Sequence, residues 1–297
     1  MRSGTIYRFK STARDFARTL AATYEIVTKY RHVSSLATVG PRLVADVKTP
    51  GGALFVHLLD LGVGRPLYTG QAYERDETAL LQRILRPGMN VVDVGANVGY
   101  MALLSARCVG SGGRVLAIEP DPGNARLLAA NVARNQYQNI SVCRCAVGSE
   151  PGTATLYRSA WNMGNHRLNA GEAGQAIAQG SINVELETVD RLVDTHGLRR
   201  VDFVKMDVEG YEPGVLAGMG RTIARDHPIV LTEFWPYGMR DAGFDPEEFL
   251  GAWLRAGYHA HTVANPDRPL QTVASILGTL PDQESATYEN LVFMPAI

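Results

Sequence analysis

The chain alternates short apolar runs, rich in β-branched residues, with segments whose apolar positions recur every three or four residues. The runs that we interpret as strands lie at 91–94, 114–118, 140–147, 201–206 and 229–234. Two later runs, at 259–264 and 290–294, are able to close a sheet as a final pair. Strands that alternate with helices predict an α/β protein whose largely parallel sheet is covered on both faces.

The first 70 residues follow a different pattern. One face of a predicted basic helix carries the apolar residues Phe9, Phe16, Leu20, Tyr24 and Val27. We interpret this helix as packing on its own domain or on a second subunit, which leaves a homo-oligomer open, and a membrane-surface or transit role is the alternative. A turn at residues 49–52 between two alternating runs predicts a β-hairpin. We therefore divide the chain into an extension over 1–70 and a main domain over 71–297.

Composition narrows the class of protein. Hydrophobic residues make up 45% and charged residues 20% of the 297 positions, which is typical of a globular protein. A net charge of −1 argues against nucleic acid as a partner. Three cysteines are too few for a disulfide framework. Because no run is apolar enough for a membrane span or a signal peptide, we expect a cytoplasmic protein.

The turn after the strand at 91–94 is the most informative stretch. Asp93 stands before Gly95 and Gly99, with Asn97 between the two glycines. Glycines let a ligand approach the backbone, and a following helix start offers free N–H groups. A dinucleotide site would read G-x-G-x-x-G, so this spacing disfavours a dehydrogenase. An acid at the strand end suits the cationic amino group of S-adenosylmethionine.

The neighbouring segments extend this predicted cofactor site. Glu119 ends the next strand, where its carboxylate would hold two ribose hydroxyls, and Pro120 follows it. Ala146, near the end of the third predicted strand, would contact the adenine through its backbone. Tyr73 and Glu74 lie near enough in sequence to cover the turn. The alternative is a structural βαβ crossover with incidental acids.

Taken together, these motifs resemble the FkbM family of S-adenosylmethionine-dependent O-methyltransferases. The resemblance covers about residues 70–295 and is carried by segments at 70–74, 93–99, 118–120, 162–168, 187–190, 202–212 and 289–293. It implies a Rossmann-like seven-stranded methyltransferase sheet with an antiparallel last strand. It also implies methyl transfer to a hydroxyl of a small molecule, either a sugar, as in a polysaccharide or glycoside, or a secondary metabolite such as a polyketide. The family's cofactor residues correspond to Asp93, Gly95, Asn97, Gly99 and Glu119.

Methyl transfer to a hydroxyl requires a group that takes the proton. His166 is our first candidate base, because it lies in a long aperiodic stretch between strands and titrates near neutral pH. Asp207 and Glu209, after the fourth strand, are the alternatives, and we also expect Asp207 to contact the cofactor. Asp207 and Glu233 are the natural ligands for Mg²⁺, but a third oxygen ligand is missing, so we favour a metal-free site.

Other functions remain as alternatives. A nucleic-acid or other N-methyltransferase would share the cofactor half of the domain. The Asn/Asp-Pro-Pro-aromatic motif typical of nucleic-acid amino-methyltransferases is missing, because Asp-Val-Glu-Gly occupies residues 207–210. A non-catalytic protein that binds S-adenosylmethionine is the other alternative.

Overall fold

The computed structural model describes residues 33–159, 162–168, 180–280 and 287–296, together with the single positions 21, 171, 175 and 178. The predicted N-terminal basic helix lies outside these residues. The division of the chain at residue 70 stays a prediction.

Within the described part of the chain, strands and helices alternate as the sequence pattern predicts. The strands are β1 (Val33–Val39), β2 (Arg42–Thr49), β3 (Gly52–His57), β4 (Asn90–Val94), β5 (Arg114–Ile118), β6 (Ile140–Cys143), β7 (Ala146–Val147), β8 (Gly152–Tyr157), β9 (Arg167–Leu168), β10 (Ser181–Glu187), β11 (Phe203–Met206), β12 (Ile229–Phe234), β13 (Tyr258–Thr262), β14 (Asn265–Leu270) and β15 (Glu289–Pro295). The helices are α1 (Gly64–Thr69), α2 (Arg75–Ile84), α3 (Tyr100–Val109), α4 (Pro122–Arg134), α5 (Val189–Thr195), α6 (Glu212–Ala217), α7 (Gly220–Asp226), α8 (Pro236–Asp241), α9 (Pro246–Arg255) and α10 (Val273–Leu277).

The main sheet has the order β14-β13-β15-β12-β11-β4-β5-β6. Strands β6, β5, β4, β11 and β12 pair in parallel, whereas β15 runs antiparallel between β12 and β13. This arrangement confirms the predicted sheet and its antiparallel last strand. The short β14 adds an eighth strand at the edge, and its two prolines are tolerated there because an edge strand leaves N–H groups unpaired.

Hydrophobic cores cover both faces of the main sheet. Val91 and Val92 are neighbours on β4 and point into different cores, as alternate residues of a strand must. The core around Val91 includes α2, α3 and α4, and the core around Val92 includes α5 to α9. The sheet is therefore buried on both sides, and its strand ends are the edge left for a ligand.

The third predicted strand divides into two. Residues of β6 stay in the main sheet, and the chain then leaves it so that β7 pairs with β10 in a smaller sheet ordered β7-β10-β8-β9. The ladder of β6 ends where the carbonyl of Cys143 accepts the N–H of Glu119 at 3.0 Å. The prediction of a single strand at 140–147 is therefore wrong for the second half of the segment, and Ala146 belongs to the smaller sheet.

The predicted hairpin is present and carries a third strand. Strands β2 and β3 pair on either side of the turn, and β1 pairs with β2. The free edge of β3 is held by two asparagine side chains, one in α4 and one at the residue that follows α4. Asn131 Oδ1 accepts the N–H of Phe55 at 2.6 Å, and Asn135 Oδ1 accepts the N–H of Ala53 at 2.9 Å. The two amides replace a neighbouring strand and fix the small sheet to the main domain.

We found no helix in the described ranges with the length and apolar character that a membrane crossing requires.

Candidate functional site

A cavity of about 360 Å³ lies at the carboxyl ends of β4, β5 and β11, the edge where open α/β sheets bind ligands. The sequence-predicted residues that line it are Tyr73, Glu74, Gly95, Asn97, Glu119, Pro120, Ala146, His166, Asp207 and Glu209. Asp93 and Gly99 do not line it. The structure thus brings most of the predicted residues together from six separate segments of the chain.

The turn after β4 depends on its two glycines. Gly95 has φ of 78°, and its N–H donates to the carbonyl of Ile118 on β5 at 3.0 Å. A Cβ at Gly95 would lie 2.0 Å from the carbonyl oxygen of Asp207, so the ends of β4 and β11 meet only because that atom is absent. A Cβ at Gly99 would lie 2.5 Å from Leu128, so Gly99 serves packing between α3 and α4.

Two backbone N–H groups, one from the turn before α3 and one from the residue before α4, hold the carboxyl of Glu119 in place. Its Oε2 accepts the N–H of Asn97 at 2.9 Å, and its Oε1 accepts the N–H of Asp121 at 2.9 Å. Burial raises the pKa of Glu119 to about 8, although these two N–H groups oppose the shift. Each oxygen keeps a second lone pair, so the carboxyl is able to accept hydrogen bonds from a ligand.

The segment before α2 forms one wall. The ring of Tyr73 packs edge-on against Tyr100 with 5.1 Å between centroids. Glu74 is the N-cap residue of α2 and has a φ of 41°. Burial raises the pKa of Glu74 to about 7, which the nearby Lys205 partly opposes. That this segment covers a bound cofactor stays a prediction.

Lys205 is a site residue to which the sequence reasoning assigned no role. It lies opposite Asp93 in the β11–β4 register, with Nζ 4.0 Å from Asp93 Oδ1 and 3.1 Å from Asp207 Oδ2. Burial disfavours its charge, but Asp207, Asp93 and Glu74 outweigh burial and raise its pKa. A lysine inside an otherwise apolar strand was the available signal in the sequence.

Asp93 is 1% exposed, and neither of its oxygens has a hydrogen-bond partner within the described residues. Burial raises the pKa of Asp93 to about 6, although Lys205 lowers it. A buried carboxyl without hydrogen bonds lowers the free energy of unfolding. The negative charge that Asp93 places behind the turn therefore reduces the stability of the protein.

Beyond Lys205, carboxyl groups gather where β11 and β12 end. Burial raises the pKa of Glu209 well above its usual value, and Asp207 and Glu212 raise it further. Burial also raises the pKa of Glu233 well above its usual value, with Glu209 as the next cause. Both glutamates line the cavity. Carboxyl groups in this state are suited to holding a proton near neutral pH.

The predicted metal ligands do not form a metal-binding group. In the part of the chain that the structure describes, no three His, Cys, Asp or Glu side chains are arranged to hold an ion. Asp207 is paired instead with Lys205.

Arg167 is a second residue that the sequence analysis left without a role. Its Nη1 pairs with Asp241 Oδ2 at 2.9 Å, and its Nε and Nη2 donate to the carbonyls of Glu209 and Gly238, both at 3.2 Å. Its guanidinium lies 4.8 Å from the ring centroid of Trp235. Arg167 therefore holds Glu209, whose φ is 58°, in its left-handed conformation beside the cavity.

His166 lies at the β5 side of the same cavity. Its Nδ1 accepts the backbone N–H of Ser159 at 3.1 Å, and its Nε2 is 3.9 Å from Asp121 Oδ2. Burial lowers the pKa of His166, Asp121 raises it, and Arg158 and Arg42 lower it. Because the Ser159 N–H already occupies the lone pair of Nδ1, this geometry argues against the predicted role of His166 as the base.

A second cavity of about 710 Å³ adjoins the first. Both are lined by Glu74, Asp207, Glu233 and Tyr288, and the second extends along α2 to Asn290. Of the shared residues, Asp207 and Glu233 lie at the ends of β11 and β12, Glu74 precedes α2, and Tyr288 precedes β15. A molecule bound in the second cavity would therefore meet a ligand of the first cavity at these shared residues.

The site has a glycine turn after β4, with an acid before the turn and a buried glutamate after β5. This arrangement is typical of the S-adenosylmethionine-dependent methyltransferases. The comparison with protein families gives the particular family. Residues 93–259, more than half of the chain, match the model of the Methyltransferase FkbM domain, and the protein belongs to this family.

Relatives with assigned names are similar over part of the chain. The 31-O-demethyl-FK506 methyltransferase FkbM of Streptomyces tacrolimicus is 31% identical over 206 residues, which cover 60% of this chain and 76% of that protein. Methyltransferase sdnD of Sordaria araneosa is 28% identical, and the alignment covers 60% of this chain and 82% of that protein. The hexuronic acid methyltransferase AglP of Haloferax volcanii is 28% identical over 52% of this chain and 57% of its own.

A solved structure of a methyltransferase FkbM from Methylobacillus flagellatus aligns with a TM-score of 0.43 and 16% identity. The alignment covers 77% of this chain and about half, 52%, of that one.

Proposed function

We propose that this protein transfers the methyl group of S-adenosylmethionine to a hydroxyl oxygen of a small molecule, a sugar or a secondary metabolite. The observation that carries the proposal is the pair of half-buried carboxyls, Glu209 and Glu233, which both line the first cavity, with Glu233 lining the second cavity as well. The names of two relatives, a 31-O-demethyl-FK506 methyltransferase and a hexuronic acid methyltransferase, support an oxygen acceptor on a small molecule.

The described residues fit the cofactor by their chemistry. The carboxyl of Glu119 has free lone pairs for the ribose hydroxyls. Asp93 and Glu74 supply negative charge for the ammonium and sulfonium groups, and the first N–H groups of α3 are free for the carboxylate. When bound, the cofactor supplies a methyl group that a nucleophilic oxygen is able to displace from sulfur.

Glu209 is the proposed proton acceptor. In its ionised form, which a cationic ligand beside it would favour, the carboxylate of Glu209 would take the proton that the acceptor hydroxyl releases when it receives the methyl group, and the products would be a neutral thioether and a neutral acid. A raised pKa suits this role, because the proton remains on Glu209 after the positive charge beside it has gone. Arg167 fixes the backbone from which the side chain of Glu209 projects.

Asp207 has a different proposed role. Its Oδ2 is already engaged by Lys205 Nζ in an ion pair at 3.1 Å, so this oxygen is not free to take a proton from an acceptor. It is therefore a hydrogen-bond acceptor for the cofactor or for an acceptor hydroxyl. The same ion pair supports chemistry without a metal ion at this position.

The test is methyl transfer from S-adenosylmethionine with a tritiated methyl group. Purified protein is supplied with three acceptors: a polyketide alcohol, a neutral sugar and a hexuronic acid. We expect label in the product of at least one hydroxyl acceptor, and we expect it to survive mild alkali, because ethers resist hydrolysis and methyl esters do not. Label found only in esters or amines would contradict hydroxyl methylation. Binding of S-adenosylmethionine with no transfer to any acceptor would favour the non-catalytic alternative.

A further inference from the structure

Among the polar residues of the cavity, His166 has an incomplete set of hydrogen bonds. Its side chain is 5% exposed, and Nε2 has no hydrogen-bond partner within the described residues. Asp121 Oδ2, at 3.9 Å, is beyond hydrogen-bond distance and is already paired with Arg158 at 2.9 Å. A buried ring nitrogen left in this state is costly, so a partner from a ligand would stabilise it.

The protonation state of the ring follows from its other nitrogen. The Ser159 N–H donates to Nδ1, which must therefore carry a lone pair, and the neutral ring then has its hydrogen on Nε2. The charged groups near the ring are Asp121, Arg158, Arg42 and Asp60. Burial is the largest cause that lowers the pKa of His166, and the two arginines lower it further, whereas the two aspartates raise it; the net direction disfavours a second proton. His166 is thus a hydrogen-bond donor at Nε2 and has no free lone pair.

The position of the donor indicates what it meets. The N–H of Asp121, which follows β5, donates to Glu119 Oε1 at 2.9 Å, and its Oδ2 lies 3.9 Å from His166 Nε2, so both cavity-lining residues lie at the β5 side. Glu119, when ionised, only accepts hydrogen bonds. A ribose hydroxyl that donates to Glu119 keeps lone pairs that need a donor. His166 supplies an N–H on that side.

We propose that His166 binds the ribose of S-adenosylmethionine by donating from Nε2 to a hydroxyl oxygen, and that it is not the group that removes the acceptor proton. The inference rests on the proposed placement of the cofactor ribose at Glu119. It does not depend on which acceptor is methylated, so binding experiments test it separately from methyl transfer.

Two variants separate a donor from a base. His166→Gln keeps an N–H at about the reach of Nε2, whereas His166→Leu removes it at similar volume. Calorimetry with S-adenosylhomocysteine should show affinity within about threefold of wild type for His166→Gln and a loss of about tenfold for His166→Leu, the scale of one hydrogen bond. At saturating S-adenosylmethionine, kcat should stay within about fivefold of wild type for both. A base would instead lose kcat by about 100-fold in both variants with affinity unchanged.

The ribose assignment has its own test with 5′-methylthioadenosine and its 2′-deoxy and 3′-deoxy forms. The loss of affinity caused by His166→Leu should disappear for the analogue that lacks the partner hydroxyl, because the two changes remove the same hydrogen bond. An equal loss for all three nucleosides would overturn the assignment.

If His166→Leu does not fold, the wild-type protein still gives an answer. Nitrogen NMR of ¹⁵N-histidine-labelled protein, with His166→Gln to assign the signals, should show Nε2 bearing the proton near neutral pH. A proton on Nδ1 would overturn the proposal.

Discussion

Replacing Glu119 with glutamine tests the cofactor site at its most constrained residue. The carboxyl is 5% exposed, and each oxygen accepts one backbone N–H at 2.9 Å. Glutamine keeps the size of the side chain but offers one oxygen instead of two and no charge. Two ribose hydroxyls would lose a charged acceptor, and hydrogen bonds to charged groups contribute about 1.5–3 kcal/mol. We expect Glu119→Gln to weaken binding of S-adenosylhomocysteine about 10- to 150-fold at pH 9.

The pH dependence makes this prediction sharper. Because burial raises the pKa of Glu119 to about 8, the wild-type carboxyl is largely protonated at pH 6.5 and resembles the amide of glutamine. The difference between wild type and Glu119→Gln should therefore grow as the pH rises from 6.5 to 9.

Calorimetry measures the affinities, and melting curves confirm that each protein is folded. Glu185→Gln, at an exposed position of β10, is the matched control and should bind as wild type does. Equal affinities of folded Glu119→Gln and wild type at pH 9 would refute the placement of the ribose at this residue.

Three further predictions concern the acids and the metal. Asp93→Asn should weaken binding of S-adenosylmethionine by about 1–2 kcal/mol, because it removes negative charge near the ammonium group, and equal calorimetric affinities would contradict this. The ligand-free protein should melt at a lower temperature at pH 8 than at pH 5.5. The folded pKa values of Asp93, Glu74 and Glu119 are about 6, 7 and 8, so the folded state retains protons that the unfolded chain has already released, and stability falls as the pH rises through this window. A melting temperature that rises over this range would contradict the burial of these acids. Activity should be unchanged by EDTA, whereas loss that Mg²⁺ restores would contradict the role given to the Lys205–Asp207 pair.

The sequence predicted the parts of the fold that depend on local pattern. Strands β4 and β5 are buried on both faces, so their apolar runs are easy to recognise in the sequence, and the carboxyl ends of strands in a parallel sheet meet at one edge. This reasoning placed Glu119 and Asp207 at the same cavity. It failed at 140–147, because a continuous apolar run does not show that its two halves pair with different sheets. It also missed β14, whose composition carries no strand signal.

The sequence could not predict those features of the site that depend on contacts between residues far apart in the chain. The ion pair of Lys205 with Asp207 and its approach to Asp93 depend on the register of β11 against β4, which no local pattern contains. Arg167 reaches the carbonyls of Glu209 and Gly238, which are far from it in sequence. Prediction of a base from residue type favoured histidine, whereas the hydrogen bond that occupies its ring nitrogen is visible only in three dimensions.

The most direct test of the account is the rate of hydroxyl methylation by Glu209→Gln at saturating S-adenosylmethionine and acceptor. The variant keeps the shape of the side chain and removes the proposed proton acceptor, and Glu150→Gln, at an exposed turn, is the control. We predict that kcat falls about 100-fold or more for Glu209→Gln while the affinity for S-adenosylhomocysteine stays within about threefold, and that the control behaves as wild type. A kcat within a few fold of wild type would contradict the assignment of proton transfer to Glu209.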